Sequence, residues 1–274
     1  MSELFPPFEP GDEPKTRRFK PVPLRLLLPN LITLLSMCSG LTGMRLAIEG
    51  RLDLAVIAIL IAAILDGLDG RIARMMKGTS RFGAELDSLS DFVSFGVAPG
   101  VMLYVFCLKE LHGLGWIISL LFASASALRL ARFNVMIDDP NRPLWQKDFF
   151  VGMPAPAGAL TVLLPVYLTL IDLPLPAGTV LLQAFYVLFI AFMMVSRIPT
   201  YAGKTIGTRV PRALVVPLFI LVVGAVAMLA VMPFEMLAAI TLIYLACIPW
   251  MVQRYRRMER MELSNPSSPP PVEG

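Results

Sequence analysis

Apolar runs long enough to cross a bilayer, joined by short charged connections, restrict this chain to one broad fold class. They fall at roughly 32–48, 53–76, 84–108, 114–136, 155–172, 177–196, 213–232 and 235–252. About 20 residues rising 1.5 Å each span the hydrocarbon core. Within that core the backbone must satisfy its own N–H and C=O groups, and a helix does so inside one segment. Of the 274 residues, 56% are hydrophobic and only 16% charged, where a soluble domain carries about 25% charged. The expectation is an all-α, polytopic membrane helix bundle of about eight transmembrane helices, with residues 23–252 forming the embedded domain. Residues 1–22, rich in Pro, Glu, Lys and Arg, and the basic, Pro-rich residues 253–274 are expected to be disordered tails.

Positive charge sets the expected orientation. Lys15, Arg17, Arg18, Lys20 and Arg25 precede the first span, and Arg71, Arg74, Lys77 and Arg81 join the second to the third. Arg129, Arg132, Arg142 and Lys147, then Arg197, Lys204, Arg209 and Arg212, follow at the next even connections, and Arg254, Arg256, Arg257 and Arg260 open the tail. Arg45, Arg51 and Lys109 fall on the other side. Both termini and the even connections are therefore expected in the cytoplasm, with the protein in the cell (inner) membrane. The net charge of +4 follows the membrane boundary, and no nucleic-acid partner is expected. Cys38, Cys107 and Cys247 lie within apolar runs and read as small buried hydrophobes. With His112 as the single histidine, no histidine-based metal site or catalytic triad can be built.

Against this background the stretch from Asp66 to Asp91, DGLDGRIARMMKGTSRFGAELDSLSD, is costly. Ionisable groups within membrane spans mark functional sites by default. Helical residues three or four apart share a face, so Asp66, Asp69, Gly70, Ala73 and Arg74 form one stripe on the second span. Gly83, Asp87 and Asp91, helped by Ser90 and Ser94, form another on the third. A short turn through KGTSR would bring the stripes together and converge four carboxylates. Such a set cannot stay ionised in a dry site without cations. All-oxygen ligation suits Mg²⁺ or Mn²⁺, and four carboxylates can hold two ions, which fits phosphoryl chemistry. Gly70, Ala73 and Gly83 leave room for a ligand near the backbone, and the guanidinium fork of Arg74 matches phosphate oxygens. Two other readings explain less. A structural ion network with Arg71, Arg74 and Arg81 accounts for a single aspartate better than for the set. A divalent-cation transporter accounts for the carboxylates but not for Gly70, Ala73, Arg74 and Gly83.

The order Asp66-x₂-Asp69-Gly70-x₂-Ala73-Arg74-x₈-Gly83-x₃-Asp87-x₃-Asp91 resembles the signature of the CDP-alcohol phosphotransferases, without departure at any of its eight positions. The resemblance implies a CDP-linked lipid donor, an acceptor alcohol and CMP as leaving group. It implies that Asp66, Asp69 and Asp87 hold one divalent cation and Asp66, Asp87 and Asp91 a second, with Asp91 also the base for the acceptor hydroxyl. Gly70, Ala73, Arg74, Ser80 and Gly83 would line the CDP-diacylglycerol site. Asn30 and Thr33, in the PNLIT start of the first span, would contact the cytidine part. A homodimer is also implied.

The acceptor is suggested outside the signature. LRLARFNV at 128–135 and FFVGMPAPAGA at 149–159 resemble the phosphatidylserine synthases of the family, which implies L-serine. A serine carboxylate calls for fixed cations, preferably a bidentate arginine, and Arg129 and Arg132, with Asn134 beside them, lie at the expected depth. The same arginines would equally serve as positive-inside anchors, or meet the phosphate of another acceptor. Phosphatidylglycerophosphate synthase, or another CDP-alcohol phosphotransferase, is therefore the alternative within the family.

Overall fold

The computed structural model describes residues 24–75, 81–137, 149–173, 178–196, 198–201 and 212–264. Helix α1 (Leu24–Ile48) turns back into α2 (Leu52–Met75), and α3 (Arg81–Asp91) passes through a π-helical turn (Phe92–Val97) into α4 (Ala98–Phe106). A 3₁₀ turn (Leu108–Leu111) leads to α5 (Gly113–Ile137) and strand β1 (Phe149–Val151). Helices α6 (Ala155–Val162), α7 (Leu164–Leu170) and α8 (Val180–Val195) follow, then strand β2 (Pro199–Tyr201), α9 (Arg212–Val231) and α10 (Pro233–Ser264).

Helix occupies each expected span, but the spans are not equivalent. Among the described residues, four helices are long and apolar enough to cross a bilayer: Leu27–Ile48, Phe82–Phe106, Gly113–Met136 and Pro233–Tyr255. Val180–Val195 and Val215–Val231 are apolar but shorter. Asp66, Asp69, Arg71 and Arg74 fill the last turns of α2 with charge. The 155–172 segment is broken at Leu163, where Pro165 cannot donate to the preceding turn. One feature departs from an all-α bundle: β1 and β2 pair antiparallel, Phe149 opposite Tyr201 and Val151 opposite Pro199.

Small residues hold α1 against its neighbours. Ser36, Gly40, Gly43 and Ala47 form a buried stripe on α1, facing buried Ala55, Ala58 and Ala62 of α2. In lipid, where apolar surface alone gives helices no reason to associate, close packing and interhelical hydrogen bonds take over. Ser36 Oγ donates to the Ala62 carbonyl at 2.9 Å and Ser39 Oγ to the Ala58 carbonyl at 2.7 Å. From the other side, Ser90 Oγ donates to the Thr33 carbonyl at 3.0 Å and Ser94 Oγ to the Ser36 carbonyl at 3.3 Å. α1 is thus stitched to both helices that carry the aspartates. The apolar interior lies beside this seam and includes Phe95, Met102, Leu103, Phe122, Tyr167 and Ile190, all fully buried. Cys107 is buried as expected, but Cys38 is exposed, because its position on α1 points away from the Ser36–Gly40 seam.

The bundle is closed near the end of α8. Gly152 adopts φ +81°, and a Cβ there would stand 2.6 Å from the Met194 carbonyl oxygen, so glycine meets two requirements at one position. Its N–H donates to the Ile198 carbonyl at 3.0 Å, and the Met153 N–H to the Met193 carbonyl at 3.3 Å.

The α1 seam has a direct test. A Cβ at Gly40 would lie 2.7 Å from the Ser94 Cα, and backbone cannot swing aside as a side-chain tip can. Gly40→Ala is expected to destabilise the protein by about 1–3 kcal/mol, read as a lowered melting temperature in detergent micelles. Gly70→Ala, where a Cβ meets nothing within 4 Å, serves as the control.

Candidate active site

Five helix ends meet at one end of the bundle. The start of α1 and the end of α2 are joined there by Thr33 Oγ1, which donates to Asp69 Oδ2 at 2.7 Å. Helix α3 reaches the end of α5 through Asn134 Nδ2, which donates to Ser88 Oγ at 2.8 Å. The end of α5 reaches the end of α8 through Arg132 Nη1, which donates to the Val195 carbonyl at 2.6 Å and the Ser196 carbonyl at 3.4 Å. Arg71 and Arg74 lie at this same end, whereas Arg45 and Arg51 lie at the α1–α2 connection and Lys109 at the α4–α5 connection.

Asp66, Asp69 and Asp87 converge as the two-stripe geometry requires. One carboxylate oxygen from each lies within 4.8 Å of the other two. Asp69 is buried, at 4% exposed, while Asp66 and Asp87 are partly open. Asp91 sits one turn beyond Asp87 and is outside this three-oxygen group, but its carboxyl comes within hydrogen-bonding reach of that of Asp66. The cation facing this pair is Arg129, 8% exposed, which acts on both Asp66 and Asp91. Its guanidinium carbon stands 5.3 Å from the centre of the Phe133 ring, an arrangement that favours a partly desolvated cation. Tyr244 of α10 lies close enough to Arg129 to influence it.

The donor-side residues are placed unevenly. Gly70 is exposed and opens onto free space. Arg74, also exposed, donates from Nε to the Gly70 carbonyl at 2.9 Å. Gly83 lies one turn before Asp87, and Ala73 one turn after Asp69. Asn30 is half-buried one turn before Thr33. Ser80 lies outside the described residues. Three features were not read from the sequence: the bond from Thr33 to Asp69, the approach of Tyr244, and the π turn that begins at Phe92. Thr33 appears in the sequence only as a hydroxyl near a helix start, and Tyr244 is distant in the chain.

The donor chemistry of this cluster fits a hard divalent ion. Mg²⁺ and Mn²⁺ favour carboxylate oxygens, and three of them, one from each aspartate and all within 4.8 Å of one another, could close on one such ion.

Comparison with known proteins bears on the same residues. The family profile described as CDP-alcohol phosphatidyltransferase matches residues 26–196, well over half of the chain and inclusive of every aspartate above. The chain belongs to the CDP-alcohol phosphatidyltransferase family. A second profile, CDP-alcohol phosphatidyltransferase 2, matches residues 213–249, covering most of α9 and the membrane part of α10. A CDP-diacylglycerol–serine O-phosphatidyltransferase of Mycobacterium leprae is 40% identical over 233 residues, covering 84% of this chain and 76% of that protein. One of the same name from Helicobacter pylori is 34% identical over 221 residues, covering 80% and 88%. An archaetidylserine synthase of Methanothermobacter thermautotrophicus is 35% identical over 142 residues, covering 50% and 56%.

Within this family fold, Arg129 is the local counter-charge to Asp66 and Asp91, and that makes a prediction. Arg129→Met should lower the melting temperature in chelator, because a buried carboxyl pair loses its cation. Millimolar Mn²⁺ should recover most of the loss, since added cations replace the missing charge. Equal losses with and without Mn²⁺ would show that the arginine acts by packing alone.

Proposed function

We propose that the chain transfers the phosphatidyl group of CDP-diacylglycerol to the hydroxyl of L-serine, giving phosphatidylserine and CMP. The observation that carries this reading is the Asp66–Asp69–Asp87 convergence, set within a chain similar over most of its length to proteins named for that reaction. The acceptor assignment draws on Arg129, a buried cation placed beside the carboxylates, where a serine carboxylate would need one.

Asp66, Asp69 and Asp87, with Asp91 completing a second set, hold two divalent cations, Mg²⁺ or Mn²⁺. When bound, these neutralise the diphosphate and the charge developing on the departing CMP oxygen. The serine hydroxyl oxygen bonds to the phosphorus nearer the diacylglycerol as the bond from that phosphorus to the CMP oxygen breaks. Asp91 accepts the hydroxyl proton on its carboxylate, and CMP leaves with the bonding pair. Gly70 and Gly83 admit the nucleotide close to the backbone, and Arg74 directs its free N–H groups at the diphosphate. The family resemblance assigns Ala73 and Ser80 to the same donor site, and Asn30 to its cytidine end. Arg129 receives the serine carboxylate, while Arg132 and Asn134 fix the end of α5 that presents it. Among the described residues no side chain stands out as a covalent nucleophile, so a single displacement with inversion at phosphorus is expected.

The site belongs at the cytoplasmic face of the inner membrane, where serine and CMP are dissolved and the acyl chains remain in lipid. This reading includes about eight spans, cytoplasmic termini flanking the 23–252 domain, and a homodimer. Its support is the side on which Arg71, Arg74, Arg129 and Arg132 gather.

The decisive experiment offers labelled CDP-diacylglycerol with L-serine, glycerol-3-phosphate, choline or inositol phosphate to the purified protein. Serine-dependent CMP release is expected, EDTA should stop it, and Mg²⁺ or Mn²⁺ should restore it. Release with glycerol-3-phosphate instead would reassign the acceptor. Asp91→Asn should reduce turnover about 10²-fold or more while CDP-diacylglycerol binding persists; lost binding with residual turnover would contradict its role as base. Arg129→Ala should raise the KM for serine more than that for the lipid, and more than Arg132→Ala does. An unchanged serine KM in both variants would remove these arginines from the acceptor site.

A further inference from the structure

Thr33 lies between the two helices that carry the carboxylates and touches both. Its hydroxyl donates to Asp69 Oδ2 at 2.7 Å, with the Pro29 carbonyl 3.0 Å away as the second acceptor in reach. Its carbonyl accepts from Ser90 Oγ of α3, the residue next to Asp91, at 3.0 Å. Thr33 is 5% exposed, and Asp69, the most buried of the three converging aspartates, is 4% exposed. A threonine hydroxyl has one proton to give. The shorter bond to a carboxylate is the stronger use of it. The proton is therefore engaged inside the protein, on the carboxylate of Asp69 that converges with Asp66 and Asp87, and is not presented to a nucleotide.

We infer that Thr33 is a positioning residue for the metal site: its hydroxyl fixes the orientation of the Asp69 carboxylate that converges with Asp66 and Asp87. This rests on the reading of those three aspartates as cation ligands, and it replaces a direct contact between Thr33 and the cytidine part. Ligating carboxylates are themselves hydrogen-bonded in metal sites, and removing such a partner typically lowers metal affinity about 10–100-fold. The Ser90 bond gives the assignment its second support. It anchors the Thr33 backbone to α3, so the distance between the two carboxylate helices is set through the same residue that aims Asp69.

The test measures Mn²⁺ binding to the full-length protein in detergent without substrate, by electron paramagnetic resonance of free Mn²⁺. It is paired with CMP binding and with melting temperature in chelator. Thr33→Val, which keeps shape and removes the hydroxyl, should raise the Mn²⁺ Kd about 10–100-fold. Thr33→Ser should restore it toward wild type. In turnover, Thr33→Val should need correspondingly more metal for half-maximal rate and regain most of kcat at saturating metal. Unchanged Mn²⁺ affinity with weakened CMP binding would overturn the proposal in favour of a nucleotide contact. Unchanged Mn²⁺ affinity with only a lower melting temperature would make Thr33 a packing residue. Thr33→Ala repeats the test if the valine variant does not fold; failure of both to fold, with the serine variant intact, would assign the hydroxyl to the fold and overturn the proposal. Wild-type protein that binds no Mn²⁺ would instead refute the metal reading itself.

Discussion

Like charges gathered at an apolar boundary repel one another, and desolvation raises the cost of each. The arrangement at the mouth of this bundle answers that constraint. Asp66, Asp69, Asp87 and Asp91 come from two helices that have no reason to approach each other for the sake of these groups. What holds them is α1, whose Ser36 and Ser39 bond to α2 while its Thr33 and Ser36 carbonyls accept from Ser90 and Ser94. The small residues along that seam let the backbones come close enough for those bonds. Arg129 supplies a counter-charge from a third helix. The site is thus a strained electrostatic assembly carried by a seam in which most members are neutral and small.

The stretch from Leu128 to Ala159 divides its work between chemistry and architecture. Arg129 turns toward the carboxylates, whereas Arg132, one turn on, directs Nη1 to the last carbonyls of α8. Those carbonyls lack partners within their own helix, and a cation at a helix C-terminus also opposes its dipole. Gly152 and Met153 bond to the same region from the far side. Two adjacent arginines, alike in the sequence, therefore serve different needs, and the placement of α8 depends on one of them.

Much of the site was legible before any coordinates. The period of the aspartates, glycines and Arg74 places them on two facing stripes, and the convergence of Asp66, Asp69 and Asp87 follows from that period and a short turn. Helix positions were legible because apolar runs admit little else in lipid. The number of crossings was less so, since the charged end of α2 and the break at Leu163 alter what an apolar run means. The β1–β2 pairing joins residues about 50 apart through backbone alone, and no side-chain pattern reports it. Thr33, Arg132 and Tyr244 were illegible in role because each depends on a partner from a distant segment: Asp69, the end of α8, and Arg129.

The π turn at Phe92–Val97 begins immediately after Asp91 and ends where the helix enters the apolar interior with Ala98 and Met102. A regular α-helix would couple the bearing of the carboxylates rigidly to that of the buried side chains below. The wider turn takes up an additional residue locally and works as a phase joint between the two. Above it the helix is aimed by polar partners, and below it by packing of Gly100 against Ser119 and Phe122. A helix jointed in this way can lose the additional residue at the joint while both halves keep their bearings. The depth of its buried stretch and the direction the Asp91 carboxylate points are consequently set by separate stretches of the same helix.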